Sequence, residues 1–359
     1  MWRPERPFRP RAAFVAFAFA VVAALGACGG EDTAGAEAPA EALPRNTWTW
    51  IDVPGTACGD GSQTGIAVNR GDGDEVLLFL DGGGACWDAL TCFTLGLAKP
   101  GPFGSAEFAA RAADVPGTVL DRAAPGNPFA RYTLVFVPYC TGDVHAGDEI
   151  QGYPGAPRRW HHKGRVNVAR AIDWLDANLG APPKVVVSGA SAGGFGALIT
   201  FDAVRRRWPQ ARGYLVDDSG PPLVRDDLSP AVRAAWFVSW RLDEVLLPLC
   251  GTACLEDLSA VFPVLSGKYP QDRLSLLSST RDSVIRSFVL LEPARFEDAL
   301  LRLTTAVIAP LPNARTFLVP GSSHTLLGAP ASFTAGGVRL DEWLRQQVED
   351  DPAWSSVGP

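Results

Sequence analysis

The chain has 359 residues, of which 47% are hydrophobic, and it carries a formal charge of −7 at neutral pH. This length and apolar content suffice for one large single-core domain or for a domain with an inserted cap. An acidic chain without a basic cluster argues against nucleic acid as a partner, and it disfavours a polyanionic substrate unless a local basic patch exists.

The first 27 residues have the three parts of an export signal: a stretch with four arginines, an apolar run and small residues at the end. The apolar run is too short to span a membrane comfortably. It leads into Leu25-Gly26-Ala27-Cys28, which resembles a bacterial lipobox. We therefore predict a signal peptide over 1–27 and an exported protein held at the cell envelope by a lipid on Cys28. The alternative is an ordinary signal peptide cut nearby, with Cys28 incidental.

The predicted signal contains four arginines and one glutamate, so its removal moves the formal charge from −7 to −10. Residues 28–44 are rich in Ala, Glu, Gly and Pro, with too few large apolar residues to fold, and we predict a flexible tether there. Residues 45–359 then form the folded domain.

The remaining six cysteines are an even number in a chain predicted to be exported, which indicates three disulfides. Cys86 with Cys92 and Cys250 with Cys254 are close pairs, which leaves Cys58 with Cys140. The alternative is a metal site, which is disfavoured because no histidine lies at ligand spacing from any cysteine pair.

Several apolar runs are typical of buried strands, and helical patterns separate them. The strands are predicted over 76–80, 132–137, 184–188, 213–216, 274–278 and 314–319, and the clearest helices over 164–179, 195–207 and 337–348. This alternation predicts an α/β fold with a mostly parallel central sheet, helices on both faces and a functional site at the carboxyl ends of the strands. Residues 221–267 interrupt the rhythm with mainly helical sequence, and we predict a cap insertion there.

The motif Gly189-Ala190-Ser191-Ala192-Gly193 stands between a predicted strand and a predicted helix. This context is that of a nucleophile elbow, in which a strained turn exposes the serine hydroxyl. A dinucleotide fingerprint is the alternative, but Ser191 occupies the place of its second glycine. We predict that Ser191 is a nucleophile.

A serine nucleophile needs a histidine base, which an acid orients. In the chain order serine, acid, histidine, only His324 among the four histidines follows Ser191 with an acid between them. Asp282 follows a predicted strand between the two and is the favoured acid, with Asp217 and Asp218 as rivals.

The oxyanion that develops during acyl transfer needs backbone N–H donors beside the elbow. Ala192, directly after the nucleophile, is one candidate. Gly83 and Gly84 are the others, because they lie in a glycine loop that follows the predicted strand 76–80.

These motifs together resemble the pectin acetylesterase and Notum family of carboxylesterases. The resemblance runs through Leu80-Asp81-Gly82-Gly83-Gly84-x-Cys86 with Cys92, Val137-Pro138-Tyr139-Cys140-x-Gly142-Asp143-x-His145, the elbow, Asp217-Asp218-Ser219-Gly220 and Ser323-His324. It implies an α/β-hydrolase fold, hydrolysis of small acyl esters on larger polar substrates, and a triad of Ser191, Asp282 and His324.

One departure concerns the pocket. The family usually has an aromatic residue just before the first loop cysteine, whereas this chain has Ala85 there and Trp87 on the far side of Cys86. Trp87, Tyr139 and His145 are candidate pocket residues, and a loop-stabilising hydrogen bond is an equal alternative for His145.

The sequence therefore predicts a serine carboxylic-ester hydrolase that acts through an acyl-enzyme and needs no cofactor or metal. Its substrate would be an ester, with acetylated polysaccharide as the candidate that the resemblance implies. The alternative is a non-catalytic, surface-anchored binding lipoprotein that retains the same fold.

Overall fold

The computed structural model describes residues 43–359. The predicted signal peptide, Cys28 and all but the end of the predicted tether lie outside these residues. Within 43–359, no helix combines the length and the apolar character needed to cross a membrane.

An eight-stranded sheet forms the centre of the domain. Its strands are β1 (Trp48–Asp52), β2 (Gly65–Asn69), β3 (Val76–Leu80), β4 (Thr133–Val137), β7 (Lys184–Ala190), β8 (Arg212–Asp218), β9 (Arg273–Ser279) and β10 (Ala314–Val319). They lie in the order β1-β2-β4-β3-β7-β8-β9-β10. The six strands from β4 to β10 pair in parallel, and β1 and β2 continue the sheet in antiparallel fashion. Two short hairpins lie outside it, β5 (Glu149–Gln151) with β6 (Trp160–His162) and β11 (Thr334–Ala335) with β12 (Val338–Arg339).

The helices connect these strands. They are α1 (Ser105–Ala112), α2 (Gly164–Leu179), α3 (Ala192–Arg207), α4 (Pro230–Trp240), α5 (Leu242–Cys250), α6 (Thr252–Glu256), α7 (Val261–Lys268), α8 (Ile285–Phe288), α9 (Pro293–Arg302) and α10 (Leu340–Val348).

The central strands are buried on both faces, as their continuous apolar runs predicted. Because side chains alternate along a strand, Leu78 and Val187 point into one core and Leu77 and Val186 into the other. The first core also contains side chains of α2, α3, α9 and the helices between 230 and 268, and the second contains side chains of α1 and α10. The predicted α/β fold with helices on both faces is confirmed.

The last helix, α10, starts later than the sequence predicted. We expected a helix over 337–348, but α10 begins at Leu340, because Gly336 and Gly337 have positive φ and form the turn between β11 and β12.

The segment 221–267, predicted as a cap, contains α4, α5, α6 and most of α7, with short 3₁₀ turns at Arg225–Asp227 and Leu258–Ala260. Trp236 and Trp240 of α4 stack on each other with ring centroids 5.6 Å apart. The Trp240 indole N–H donates to the carbonyl of Cys86 at 2.9 Å, which ties α4 to the glycine loop after β3.

Three disulfides are present: Cys58–Cys140, Cys86–Cys92 and Cys250–Cys254. Cys86 and Cys92 also lie beside His162, the one group of possible metal ligands found in the described part of the chain. Their sulfurs bond to each other in this structure, so they do not form a thiolate pair for a metal.

Candidate active site

Ser191 lies between the end of β7 and the start of α3. Its backbone has φ 60° and ψ −120°, a conformation that L residues rarely adopt. A Cβ at Gly189 would come within 2.1 Å of the Gly193 carbonyl oxygen, and one at Gly193 within 1.9 Å of the Leu80 carbonyl oxygen. The two glycines of the motif are therefore required by packing, and the turn has the strained strand-to-helix geometry of a nucleophile elbow.

His324 and Asp282 meet in the segments that follow neighbouring parallel strands, β10 and β9. The Nδ1 atom of His324 lies 2.8 Å from Oδ2 of Asp282. Asp282 is fully buried, and its other oxygen accepts the N–H groups of Val284 and Ile285 at 2.9 and 3.0 Å. These backbone bonds fix the carboxylate, so one residue both caps a helical turn and orients the imidazole.

The rival acids Asp217 and Asp218 end β8, and both are fully buried. Oδ1 of Asp217 accepts the N–H of Gly220 at 2.9 Å. The Asp218 carboxylate accepts backbone N–H groups two and three residues beyond His324. Neither carboxylate forms a hydrogen bond with the His324 ring in the described structure, whereas Asp282 does.

Burial governs the ionisation of these two acids. It raises the pKa of Asp218 to about 6, against the lowering effect of its backbone hydrogen bonds. Burial and then the neighbouring charge of Asp218 raise the pKa of Asp217 well above its ordinary value.

The glycine loop after β3 lies against the elbow. A Cβ at Gly82 would come within 2.5 Å of the Ala190 carbonyl oxygen, and one at Gly83 within 2.9 Å of the Tyr139 ring. Gly84 has φ +81°, and a Cβ there would meet the Leu97 carbonyl oxygen at 1.8 Å. Gly82 is the residue in contact with the elbow, since a Cβ there would also lie 3.1 Å from Cβ of Ser191, whereas Gly83 and Gly84 are confined by Tyr139 and Leu97.

Ala192 is the first residue of α3, and the first N–H groups of a helix have no intrahelical acceptor. Further along this turn, the N–H groups of Gly194 and Phe195 donate to the carbonyl of Ser191 at 2.9 and 3.3 Å. The N–H of Ala192 is thus a candidate donor to a group bound at Ser191.

Of the candidate pocket residues, only Tyr139 lines the cleft beside Ser191. His145 is buried behind the glycine loop, with Nε2 2.9 Å from the Asp81 carbonyl oxygen and its ring 4.8 Å from that of Tyr139. Burial lowers the pKa of His145 to about 4, so the ring is neutral at pH 7 and its Nε2–H donates to that carbonyl. Trp87 packs against Trp236 and Trp240 at the edge of the core.

Two cavities meet at Ser191. One, of about 60 Å³, is apolar and reaches from Ser191 and Ala85 between α3, α4 and α8. The other is an open cleft of about 790 Å³ that also contains His324 and the glycine loop. Five charged residues are among those that line this cleft: Asp81, Lys99, Glu107, Arg111 and Asp114. Ser191 is therefore placed between an apolar pocket and an open cleft whose lining includes charged side chains.

The sequence reasoning missed most of the apolar pocket. Phe195 and Ile199 lie one turn apart on α3, a spacing that could have been read from the helix that follows the elbow. Phe288 and Val289 also line the pocket, but they come from the segment after Asp282, and no local signal relates that segment to α3.

The parallel sheet and the strand-to-helix turn at Ser191 define an α/β-hydrolase. A solved structure of the Wnt deacylase Notum from Drosophila has the same fold, with a TM-score of 0.63 at 18% identity over 86% of this chain and 95% of that chain. The chain belongs to the pectinacetylesterase family, whose model matches residues 46–238.

Two curated relatives are similar over about half or more of the chain. Palmitoleoyl-protein carboxylesterase NOTUM of Drosophila melanogaster is 27% identical over 53% of this chain and 30% of its own length. Pectin acetylesterase 4 of Arabidopsis thaliana is 25% identical over 64% of this chain and 57% of its own length. The chain thus spans less than two thirds of either relative.

Proposed function

We propose that this protein is a serine carboxylic-ester hydrolase with Ser191 as nucleophile, His324 as base and Asp282 as the orienting acid. The observation that carries the proposal is the 2.8 Å contact between His324 Nδ1 and Asp282 Oδ2 beside a cleft that both Ser191 and His324 line. The names of the two curated relatives, a carboxylesterase and an acetylesterase, support the same class of reaction.

Acylation begins when Nε2 of His324 takes the proton of the Ser191 hydroxyl and Oγ attacks the ester carbonyl carbon. The carbonyl oxygen becomes an oxyanion, for which the N–H groups of Gly83, Gly84 and Ala192 are the candidate donors. The ester C–O bond then breaks, His324 gives its proton to the departing alcohol, and the acyl group stays on Oγ. Water, activated by the same ring, releases the acid and restores Ser191.

Asp282 supports both halves of this cycle. Its carboxylate fixes the tautomer of His324 by accepting from Nδ1, which leaves Nε2 free to face the serine. It also stabilises the cationic ring that forms after each proton transfer. The two backbone N–H groups on its other oxygen keep the carboxylate oriented.

The two cavities suit the two parts of an ester. The apolar pocket, lined by Phe195, Ile199 and Trp240, suits the acyl group, and the open cleft with its charged side chains suits a polar alcohol. This division supports an acyl ester of a polar alcohol as substrate, with acetylated polysaccharide as one candidate.

The location of the protein is also a proposal. It rests on the sequence features of the N-terminus: the signal peptide over 1–27, the lipid on Cys28 and the tether over 28–44. The cap over 221–267 is likewise a proposal from the sequence. The three disulfides support an oxidising compartment, because such bonds form and persist in exported proteins.

The proposal is tested by hydrolysis of aryl esters with two to eight acyl carbons, using the purified full-length protein. We expect turnover that Ser191→Ala and His324→Ala each reduce by about 10⁴-fold or more. Ser188→Ala, which removes another buried serine hydroxyl from β7, serves as the matched control and should retain activity. Folded protein without turnover on any of these esters, or full activity in Ser191→Ala, would overturn the proposal.

A further inference from the structure

Asp218 binds two separate parts of the candidate active site at once. Its backbone carbonyl oxygen accepts the N–H of Ser191 at 2.7 Å. Its side chain points to the loop after β10, which carries His324. Asp218 is fully buried at the end of β8, between the strands that lead to these two groups.

Most hydrogen bonds of the Asp218 side chain are with the backbone of that loop. Oδ2 accepts the N–H of Leu326 at 2.8 Å and the N–H of Leu327 at 2.7 Å. Oδ1 lies 3.1 Å from the N–H of Leu326 and accepts the hydroxyl of Ser219 at 3.1 Å. Two consecutive N–H groups on one oxygen restrict the loop more than a single bond, because both peptide planes must keep their orientation.

We propose that Asp218 is a positioning residue, which holds the loop that carries His324 in register with Ser191. The inference rests on the proposed function. His324 is two residues before Leu326, so a shift of the Leu326 and Leu327 peptides moves the imidazole relative to the serine. Asp282 orients the ring from its Nδ1 side, and Asp218 fixes the backbone from which that ring projects.

The role is distinct from that of the catalytic acid. An acid that stabilises the His324 cation must be charged, whereas a positioning acceptor needs only an oxygen at the place of Oδ2. Asp218→Asn keeps such an oxygen, because its amide oxygen can take both N–H groups while its NH₂ donates to the Ser219 hydroxyl. Asp218→Ala removes the acceptor and leaves both buried N–H groups without it.

Asp217 provides the matched control. It is equally buried and adjacent, but its carboxylate accepts a single N–H, that of Gly220, and Oδ2 has no hydrogen-bond partner within 43–359. Asp217→Ala therefore removes a buried carboxylate of the same size without releasing the His324 loop. If only stability were lost, kcat would fall in both alanine variants. If positioning were lost, kcat would fall only in Asp218→Ala.

The experiment measures kcat and KM on an aryl ester for wild type, Asp218→Ala, Asp218→Asn and Asp217→Ala, below the melting temperature of each and per folded molecule. For Asp218→Ala we expect kcat to fall about 10- to 100-fold with KM within about 3-fold, because small misplacements of catalytic groups cost about this much. For Asp218→Asn and Asp217→Ala we expect kcat within about 5-fold of wild type.

Unchanged kcat in Asp218→Ala, or an equal loss in Asp217→Ala, would overturn the proposal. So would a loss in Asp218→Asn as large as in Asp218→Ala, because it would show that charge rather than the acceptor matters. If the alanine variant does not fold, Asp218→Asn can still overturn the proposal, because a large loss of kcat in folded Asp218→Asn would show that the charge of Asp218 is required. Failure of the proposed function is recognised separately, because wild type itself would then not turn over.

Discussion

Asp282 and His324 are 42 residues apart in the chain, yet Oδ2 of one lies 2.8 Å from Nδ1 of the other. The contact forms because β9 and β10 are parallel neighbours, so that the segments after them leave the same edge of the sheet. Ser191 follows β7 at that edge, two strands away. Strand order thereby brings three residues that are distant in sequence to the same edge of the sheet.

The first prediction concerns the acid. Asp282→Asn should keep the cap to Val284 and Ile285 but lose the charge that stabilises the His324 cation. We expect kcat to fall by about 10³-fold or more, by analogy with the acid of serine protease triads, with little loss of stability. Steady-state kinetics and thermal melting measure the two effects. If Asp282→Asn retained activity while Asp218→Asn lost it, Asp218 would be the triad acid instead.

The second prediction concerns the acyl pocket. Ala85 lines this pocket beside Ser191, so Ala85→Phe should fill part of it. We expect kcat/KM for an aryl hexanoate to fall about 10-fold or more relative to an aryl acetate, because overpacking excludes the longer chain first. Ala89→Phe makes the same change outside the pocket and should leave the ratio unaltered. An equal loss on both esters in Ala85→Phe would argue that the acyl group lies elsewhere.

The third prediction concerns the charge of the cleft. Arg111 is paired with Asp81 at 3.2 Å and with Asp114 at 3.6 Å, so its charge is already balanced. Lys99 and Glu107 are exposed on the cleft wall, and the five charged residues sum to one negative charge. We therefore expect acetylated neutral oligosaccharides to be hydrolysed faster than acetylated oligogalacturonates at low salt.

This preference should shrink in about 0.3 M salt, because screening acts on exposed charges. The double change Glu107→Gln with Asp114→Asn moves the sum of the five charges from −1 to +1 and should remove or reverse the preference. Comparison of kcat/KM for the two substrates at both salt concentrations is the measurement. A preference for the anionic substrate that salt weakens would contradict the expected cleft charge.

The fourth prediction compares two disulfides. Cys58–Cys140 spans 82 residues of chain and Cys250–Cys254 spans 4. Loop entropy in the unfolded chain assigns about 4.5 kcal/mol of stability to the first and about 2 kcal/mol to the second. Urea unfolding of the two double alanine variants should show this order. A larger loss for the short pair would mean that packing in the native state, and not chain entropy, decides their contributions.

Much of the fold could be predicted because the central strands are continuous apolar runs. Val76–Leu80 and Ala314–Val319 were predicted with the bounds that the structure shows. The edge strand Trp48–Asp52 was not predicted, because its side chains are only partly buried and form no such run. Burial on both faces does not suffice by itself, because the strand Gly65–Asn69 is buried throughout but was also not predicted: its glycine and asparagine leave only three apolar residues in a row.

The candidate active site could also be predicted from the sequence only in part. Ser191, Asp282 and His324 could be named because each follows a recognisable strand, and chain order restricted the histidine. The bonds from Asp218 to Leu326 and Leu327 could not be foreseen, because backbone N–H groups carry no residue identity. The place of His145 behind the glycine loop also depends on tertiary packing, and its motif fits either alternative.

Covalent labelling of the full-length protein with a hydrophobic fluorophosphonate, followed by peptide mass spectrometry, tests the central claim most directly. The probe reacts with a serine only when a neighbouring base activates it. We predict modification of Ser191, loss of labelling in Ser191→Ala and strong slowing in His324→Ala, with Ser188→Ala labelled like wild type. Folded wild-type protein that is not labelled, or that is labelled at another residue, would contradict the assignment of Ser191 as the nucleophile.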